Sequence, residues 1–264
     1  MAYYMKTMTV KDMETILQKT KTVLIPVSVV EQHGYHLPLS VDLFNAVKPI
    51  EFAGERLNAV VAPTIHYCFS GGELPGTINV SPQVFALYLM DICREFARLG
   101  FVNIVAVLGH GGTENLQEMK MALSMLLRQN KQLAHVNIAL LPIFDLSATW
   151  QAAWAPELEE KDFHAGMIET SAMMYWAPEL VHMENLELDE PETLRMLRSD
   201  QDWFEKQEKN IDSPYIIAHK SQKEEVKVGV MGFPEKASAE LGKKICEEMT
   251  EGLIEFVDYL NQNA

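Results

Sequence analysis

The sequence predicts an α/β fold in which a parallel sheet is covered by helices on both faces. Two observations support this prediction: apolar runs alternate with amphipathic stretches along the chain, and the apolar runs are nearly continuous. Strands that are apolar throughout are typical of parallel sheets buried on both sides. Right-handed crossovers then place the carboxyl ends of all strands at one edge. The predicted strands span residues 22–29, 59–63, 102–108 and 136–143.

The amphipathic stretches between and after these strands predict helices. One of them carries apolar residues at helical spacing and ends at Gly100. In the last helix an apolar stripe runs from Leu241 to Leu260, and we expect it to pack in the core rather than bind a partner. The charged stretch at 202–212 is expected to be a solvated helix face or a loop. The predicted helices span residues 44–57, 83–99, 114–129, 166–176, 191–209 and 237–260.

Length and composition limit the class of protein. The chain has 264 residues without a repeat or a linker, so we expect one domain spanning 1–264. A formal net charge of −15 argues against nucleic acid and anionic membranes as partners, because both require a basic face. The three cysteines, Cys68, Cys93 and Cys246, form no CxxC pair, so we expect buried free thiols. Neither a signal peptide nor a membrane span is evident, so we expect a cytoplasmic protein.

The densest chemistry directly follows the first predicted strand, in residues 31–42. Glu, His and Asp side chains bind zinc, manganese or iron, and parallel sheets place their ligands at strand ends. Glu31 and His33 are two apart, so in an extended segment they point to the same side. Asp42 follows a proline-containing loop and can return to that cavity, where its two oxygens can bridge two cations. His36 is a less favoured ligand candidate; it is otherwise a hydrogen-bond donor behind the ligands or a loop histidine.

Two further segments carry histidines and carboxylates. His110 lies in a glycine-rich turn after the third predicted strand, where it either caps the next helix or binds a metal. Because Glu31, His33 and Asp42 follow another strand end, metal binding is the favoured role of His110. His164 and Glu169 flank a predicted helix start, where Glu169 either complements the helix dipole or binds a metal. His164 can transfer protons because imidazole titrates near neutral pH.

Five segments, in the right order, resemble the signature of the creatininase (creatinine amidohydrolase) family. They are EQHGxHLP…D at 31–42, PGT at 75–77, GHGG at 109–112, HAGxxETS at 164–171 and GVxGxP at 229–234. Together they are highly specific for the family, though not for its substrate. The chain departs from the family pattern at Leu108, usually Asn, and at Phe233, usually Asp. Phe163 stands where creatininase proper has an acid, so creatinine itself is left open as the substrate.

The resemblance implies a fold, a metal content and a reaction. The fold would be a three-layer α/β/α sandwich with a mostly parallel sheet. The cofactors would be two divalent metal ions per subunit, with zinc favoured and manganese or iron as alternatives. The protein would be an amidohydrolase that cleaves a C–N bond of a small, cyclic or formyl amide by a metal-activated water. It would form a homo-oligomer, often a hexamer.

The resemblance also assigns roles to single residues. The metal ligands would be Glu31, His33, Asp42 and His110, with Asp42 bridging. For one further carboxylate ligand, Glu169 is favoured over Glu114. His164 would be the catalytic histidine that protonates the leaving nitrogen, and Ser70 would contact the substrate.

Other classes of protein fit the sequence less well. A catalytically silent member of the same family, which binds a small ligand or serves as an assembly subunit, stays open because of Leu108 and Phe233. A nucleotide-binding protein would need a phosphate-binding glycine pattern that the chain lacks. A serine or cysteine hydrolase is disfavoured because no GxSxG segment is present and no motif links Cys68 to a histidine.

Overall fold

The computed structural model describes residues 2–263, which form a five-stranded parallel sheet with helices on both faces. The four predicted strands are confirmed, although the second is only two residues long. One more strand at the edge, also two residues long, carries too short a pattern for prediction. The strands are β1 (Tyr3–Tyr4), β2 (Thr22–Val27), β3 (Val60–Val61), β4 (Asn103–Leu108) and β5 (Asn137–Pro142), in the order β1-β3-β2-β4-β5.

Helices form the two outer layers. They are α1 (Val10–Ile16), α2 (Val41–Ala53), α3 (Pro82–Leu99), α4 (Thr113–Gln129), α5 (Ala148–Ala153), α6 (Met167–Trp176), α7 (Pro191–Ser199) and α8 (Ala239–Gln262). Successive residues of a strand point to opposite faces of the sheet, so they enter two separate cores. Val23 and Ile104 face the core that contains α1, α3 and α4. Leu24 and Val105 face the core that contains α2, α5, α6 and α8. The three-layer α/β/α sandwich is confirmed.

Several smaller predictions are also confirmed. The apolar stripe of α8 packs in the core, where Ile245, Met249 and Leu253 are completely buried. The three cysteines are buried free thiols. Among residues 2–263, none of the helices has the length and apolar content needed to cross a membrane.

The helix predicted for residues 191–209 is wrong in its second half. Helix α7 ends at Ser199, and a hairpin of β6 (Glu205–Glu208) and β7 (His219–Gln222) follows. Trp203 and Phe204 fall where the helix would have continued, but they pack against a small cluster around Leu197 and Met231. The strands of the hairpin are polar and mostly exposed, so they lack the apolar alternation that would have predicted them.

The order of the strands creates a crevice at one edge of the sheet. Strands β2 and β4 are neighbours, paired from Thr22–Asn103 to Val27–Leu108, so they end side by side. The chain leaves β2 for α2 on one face and leaves β4 for α4 on the other. Such a point, where connections diverge to opposite faces, is the usual ligand site of an open parallel sheet.

Candidate metal centre

The segment after β2 is an irregular loop held in place by neighbouring backbone. Glu31 N donates to Leu39 O at 3.1 Å, and Gln32 N donates to Thr77 Oγ1 at 3.2 Å. Ile78 N donates to Val30 O at 2.9 Å. The PGT segment of the sequence therefore braces this loop, and both Glu31 and His33 point into the crevice as predicted.

Close packing between α2 and the end of β4 brings the next ligands together. Asp42 lies in the first turn of α2, and Gly109 follows β4 directly. A Cβ atom at Gly109 would overlap the carbonyl oxygen of Asp42, so only glycine permits this approach. His110, the next residue, is thereby placed beside Asp42.

The five residues predicted as ligands converge into two groups that share Asp42. In the first group, His110 Nδ1 lies 3.0 Å from Glu31 Oε2 and 3.7 Å from Asp42 Oδ2. In the second, His33 Nε2 lies 3.6 Å from Glu169 Oε2 and 3.9 Å from Asp42 Oδ1. Within each group the donor atoms lie within 4.8 Å of one another. Asp42 thus offers one oxygen to each group, which is the arrangement of a bridging carboxylate.

The structure places Glu169 and Glu114, the two alternatives for the further carboxylate ligand, in different surroundings. Glu169 lies in the first turn of α6 and is 7% exposed, within the cluster. Glu114 lies at the start of α4, in the wall of the pocket, and pairs with Lys220 of β7. The position two residues after His110, where creatininase proper carries a Glu, is Gly112 here. A side chain at that position would overlap the ring of His110.

The donor set has the chemistry of a cation site. His33 Nδ1 donates to Glu31 O at 3.1 Å, so the other ring nitrogen is free to bind a metal. His33 Nε2 and Asp42 Oδ2 are buried without a hydrogen-bond partner. Unpaired buried polar atoms are costly, and a cation bound in each group would satisfy one of them. Three carboxylates and two imidazoles fit zinc, manganese or iron.

Charges within the cluster shift its pKa values strongly. Burial alone would lower the pKa of His33, but Glu169 and Asp42 raise it to about 10. Burial alone would also lower the pKa of His110, but Glu31 raises it to about 9. Burial raises the pKa of Asp42 well above its usual value. Without a cation, the two rings are therefore protonated at neutral pH, and a metal must displace those protons.

His164 lies beside this cluster, above the ring of His33. The two ring centroids are 4.2 Å apart, and His164 Nε2 donates to Gln32 O at 2.8 Å. Burial, and then the charge of His33, lower the pKa of His164. The backbone of His164 pairs with Met231 of the C-terminal GVxGxP segment. That segment therefore fixes the height of His164 over the cluster.

The loop between His164 and Glu169 is held in a strained form. Ala165 has a φ of 52°, a value that residues other than glycine seldom adopt. Its amide donates to Glu169 Oε2 at 2.7 Å. The buried carboxylate of Asp162 accepts from the amides of Met167, Ile168 and Phe233 at 2.7–2.9 Å. These contacts turn both His164 and Glu169 towards the crevice.

His36 and Ser70 lie behind and beside the ligands. His36 is buried outside the two groups, and its Nε2 lies 3.0 Å from Thr170 Oγ1. Burial and the charge of His33 lower its pKa to about 4. Ser70 is half-buried in the pocket wall and donates to Glu31 Oε1 at 2.6 Å. Its predicted contact with substrate stays a prediction.

The sequence reasoning missed two residues that support the cluster. Asn45, one turn after Asp42, donates to Glu169 Oε1 at 3.3 Å. The backbone carbonyl oxygen of Gln32 accepts a hydrogen bond from His164 Nε2, as described above. Asn45 carries no motif, and its only signal was its position one helical turn after a predicted ligand.

A pocket of about 130 Å³ opens above the cluster. Its aromatic walls come from Phe69, Phe144, Trp150, Trp154, Phe163 and Phe204. Trp150 and Trp154 meet edge to face, with ring centroids 6.2 Å apart. At the mouth the hairpin supplies Glu205 and Gln222. No lysine or arginine of the described chain lines the pocket.

Three known proteins, each named as a hydrolase or a peptidase, are similar to this chain over most of its length. The protein is 28% identical over 239 residues to a mycofactocin precursor peptide peptidase of Mycolicibacterium smegmatis, covering 87% of this chain and 81% of the relative. It is 23% identical over 247 residues to the creatinine amidohydrolase of Pseudomonas putida, covering 89% and 87%. It is 24% identical over 276 residues to a 3-dehydro-scyllo-inosose hydrolase of Thermotoga maritima, covering 98% and 81%.

Solved structures share the fold along nearly the whole length. A manganese creatininase superimposes with a TM-score of 0.75 at 23% identity, covering 99% of both chains. A mutant creatininase of the Zn–Zn type superimposes with a TM-score of 0.74 at 22% identity, again covering 99% of both chains. The family model of creatininase, described as creatinine amidohydrolase, matches residues 6–257. The resemblance inferred from the five sequence segments is thus confirmed, and the protein belongs to the creatininase family.

Proposed function

We propose that this metal-dependent hydrolase holds two divalent cations, one in each group of ligands, and cleaves the C–N amide bond of a small molecule. The observation that carries the proposal is the division of Asp42 between the two groups, with Oδ2 towards His110 and Oδ1 towards His33. A carboxylate that faces two sets of donors suits a pair of ions better than one. Zinc is favoured, with manganese and iron as alternatives.

Charge balance supports two ions. Glu31 and Glu169 would supply one negative charge each, and Asp42 would supply a third, against four positive charges. When bound, the ions would polarise the amide carbonyl and lower the pKa of water from ~15.7 towards ~7. No hydrogen bond in the site could produce a shift of that size.

His164 is the residue that moves the proton in this proposal. Its Nε2 holds a proton because it donates to Gln32 O, which leaves Nδ1 to accept one. Its lowered pKa keeps the ring neutral at pH 7. A neutral imidazole can take a proton from the attacking water and return it to the leaving nitrogen. The aromatic walls around Trp154 and Phe163 would limit water access to the reacting bond.

The pocket supports a neutral or cationic small amide rather than an anionic one. The described lining offers no basic side chain to a carboxylate or phosphate, and Lys220, near the mouth, is already paired with Glu114 and Glu205. Two of the relatives are named as an amidohydrolase and a peptidase, which supports C–N bond hydrolysis as the reaction. Cyclic and formyl amides are the compounds to test first.

We also propose a homo-oligomer, a hexamer by family resemblance, in a reducing cytoplasm. Val84, Leu87 and Tyr88 form an exposed apolar face on α3, which supports burial against another copy. Free buried thiols support a reducing compartment. Sedimentation analysis of the purified protein tests the oligomeric state.

The decisive experiment is a screen of neutral and cationic cyclic and formyl amides against protein reconstituted with Zn²⁺, Mn²⁺ or Fe²⁺. We expect turnover that disappears in His110→Ala, while circular dichroism shows an intact fold. His135→Ala, at an exposed histidine far from the motifs, is the matched control and should keep full activity. Normal turnover in His110→Ala would contradict the proposal. Two bound ions without turnover of any amide would instead favour the silent ligand-binding alternative.

A further inference from the structure

The two outer carboxylates of the cluster are each held by a neutral hydrogen-bond donor. Ser70 Oγ donates to Glu31 Oε1 at 2.6 Å. The other oxygen of that carboxylate, Oε2, faces His110 Nδ1 at 3.0 Å. Glu31 therefore has one oxygen occupied by the protein and one directed at the first ligand group.

Glu169, on the opposite side, has a donor on each oxygen: Ala165 N donates to Oε2 at 2.7 Å, and Asn45 donates to Oε1. Asn45 Nδ2 donates to Glu169 Oε1 at 3.3 Å and also to Gly109 O at 3.2 Å. Glu169 Oε2 faces His33 Nε2 at 3.6 Å. Asn45 is completely buried, so its amide has no water to exchange with and its position is set by packing alone.

We propose that Ser70 and Asn45 are positioning residues, one for each half of the metal centre. Each occupies one oxygen of a terminal carboxylate, while the other oxygen faces the cation; in Glu169 that second oxygen also accepts from Ala165 N. The inference rests on the proposed function, because it assumes a cation in each half. It gives Ser70 a role separate from the substrate contact that the family resemblance suggests.

The physical reason lies in the terminal torsion of glutamate, which is broad and has no strong preferred angle. Without a donor on Oε1, the carboxylate plane rotates and presents its second oxygen or a poorly aimed lone pair to the cation. Partners that orient ligands in this way typically contribute 10–100-fold to metal affinity. Among the proposed ligands, Ser70 contacts only Glu31 and Asn45 contacts only Glu169. Each substitution should therefore weaken metal binding in only one half of the centre.

The test is a Zn²⁺ titration against a competing chromophoric chelator, which resolves the two binding steps of the wild-type protein. We expect Ser70→Ala and Asn45→Ala each to weaken one step by about 10–100-fold and to leave the other within about threefold. The matched controls are Ser28→Ala and Asn103→Ala. Both remove buried hydrogen bonds, Ser28 to Ile65 O and Asn103 to Leu260 O, that do not involve a ligand.

A double-mutant cycle identifies which half each residue serves. Ser70→Ala should add nothing in a Glu31→Gln background and should keep its full effect in a Glu169→Gln background. Asn45→Ala should show the opposite pattern. Should Asn45→Ala fail to fold, Asn45→Ser removes less volume and answers the same question.

Two failures are distinguishable. If the wild-type protein binds fewer than two ions, the proposed function itself fails. If it binds two ions and both variants keep both affinities within about threefold, Ser70 and Asn45 do not position the ligands. Equal weakening of the two steps, matched by the control variants, would also overturn the inference, because it would indicate a general loss of stability.

Discussion

Replacing Asp42 by Asn should have opposite effects on the metal-free and the metal-loaded protein. In the metal-free protein the carboxylate is 2% exposed, and burial raises its pKa well above the usual value. A raised carboxyl pKa means that the charged form is less favourable in the folded state than in the unfolded chain. Asparagine removes that unfavourable charge at constant shape. Metal-free Asp42→Asn should therefore melt at the same temperature as the wild type or above it.

The metal-loaded proteins should differ in the other direction. At a free ion concentration of about 100 times Kd, each site stabilises the folded state by about 2.7 kcal/mol, so two sites give about 5.4 kcal/mol. For a chain of this size, 1 kcal/mol corresponds to about 2–4 °C in Tm, so the wild type should gain roughly 10–20 °C. Asp42 serves both ligand groups, so Asp42→Asn should lose most of that gain.

Differential scanning fluorimetry with and without Zn²⁺, together with calorimetric stoichiometry, measures both effects. Glu31→Gln and Glu169→Gln are the matched comparisons, because each belongs to only one of the two groups built on Asp42. Each should keep about half of the wild-type thermal shift and one binding step. A thermal shift of wild-type size in Asp42→Asn, with two ions still bound, would refute the assignment of a shared carboxylate.

The remaining predictions concern protons and packing. Because the carboxylates raise the pKa values of His33 to about 10 and His110 to about 9, zinc binding at pH 7 should release at least two protons, one from each ring. Calorimetry in buffers of different ionisation enthalpy measures that release, and zinc binding without proton release would contradict the charge states. The same raised pKa values stabilise the metal-free fold below about pH 6.5, and that contribution should fade as the pH rises towards 10. Gly109→Ala should destabilise by about 3 kcal/mol or more in urea unfolding, because its Cβ would overlap Asp42 O. Gly72→Ala, whose Cβ would meet Ser70 Oγ at an ordinary 3.5 Å, should change stability little, and equal effects of the two would contradict the packing argument.

Much of the fold and of the site could be predicted from the sequence, because the strongest patterns coincide with buried elements. Strands β2 and β4 are apolar on both faces, so they stand out from their surroundings. The predicted ligands Glu31 and His33 follow β2 within six residues, and Asp42 follows after the next loop. Their convergence with His110 follows from parallel topology, since neighbouring strands end at the same edge.

The parts that could not be predicted depend on contacts between distant segments. The hairpin after α7 is polar and exposed, so no hydrophobic period predicts it. The difference between Glu169, which lies in the cluster, and Glu114, which pairs with Lys220, depends on the folded positions of α6 and α4. Asn45 is an ordinary helix residue in sequence terms. Its role depends on Gly109 O and Glu169 Oε1, which lie 64 and 124 positions further along the chain.

The order of the ligands along the chain has a consequence for how the protein matures. Glu31, Asp42 and His110 all precede α4, so one ligand group has its donors early in synthesis. The other group needs Glu169, which arrives only when α6 docks beside α2. Since chains emerge from the ribosome amino terminus first, a nascent chain passes through a stage with a half-built centre. An ion bound at that stage would promote the docking of α6, and the kind of metal would be set before the second metal site forms.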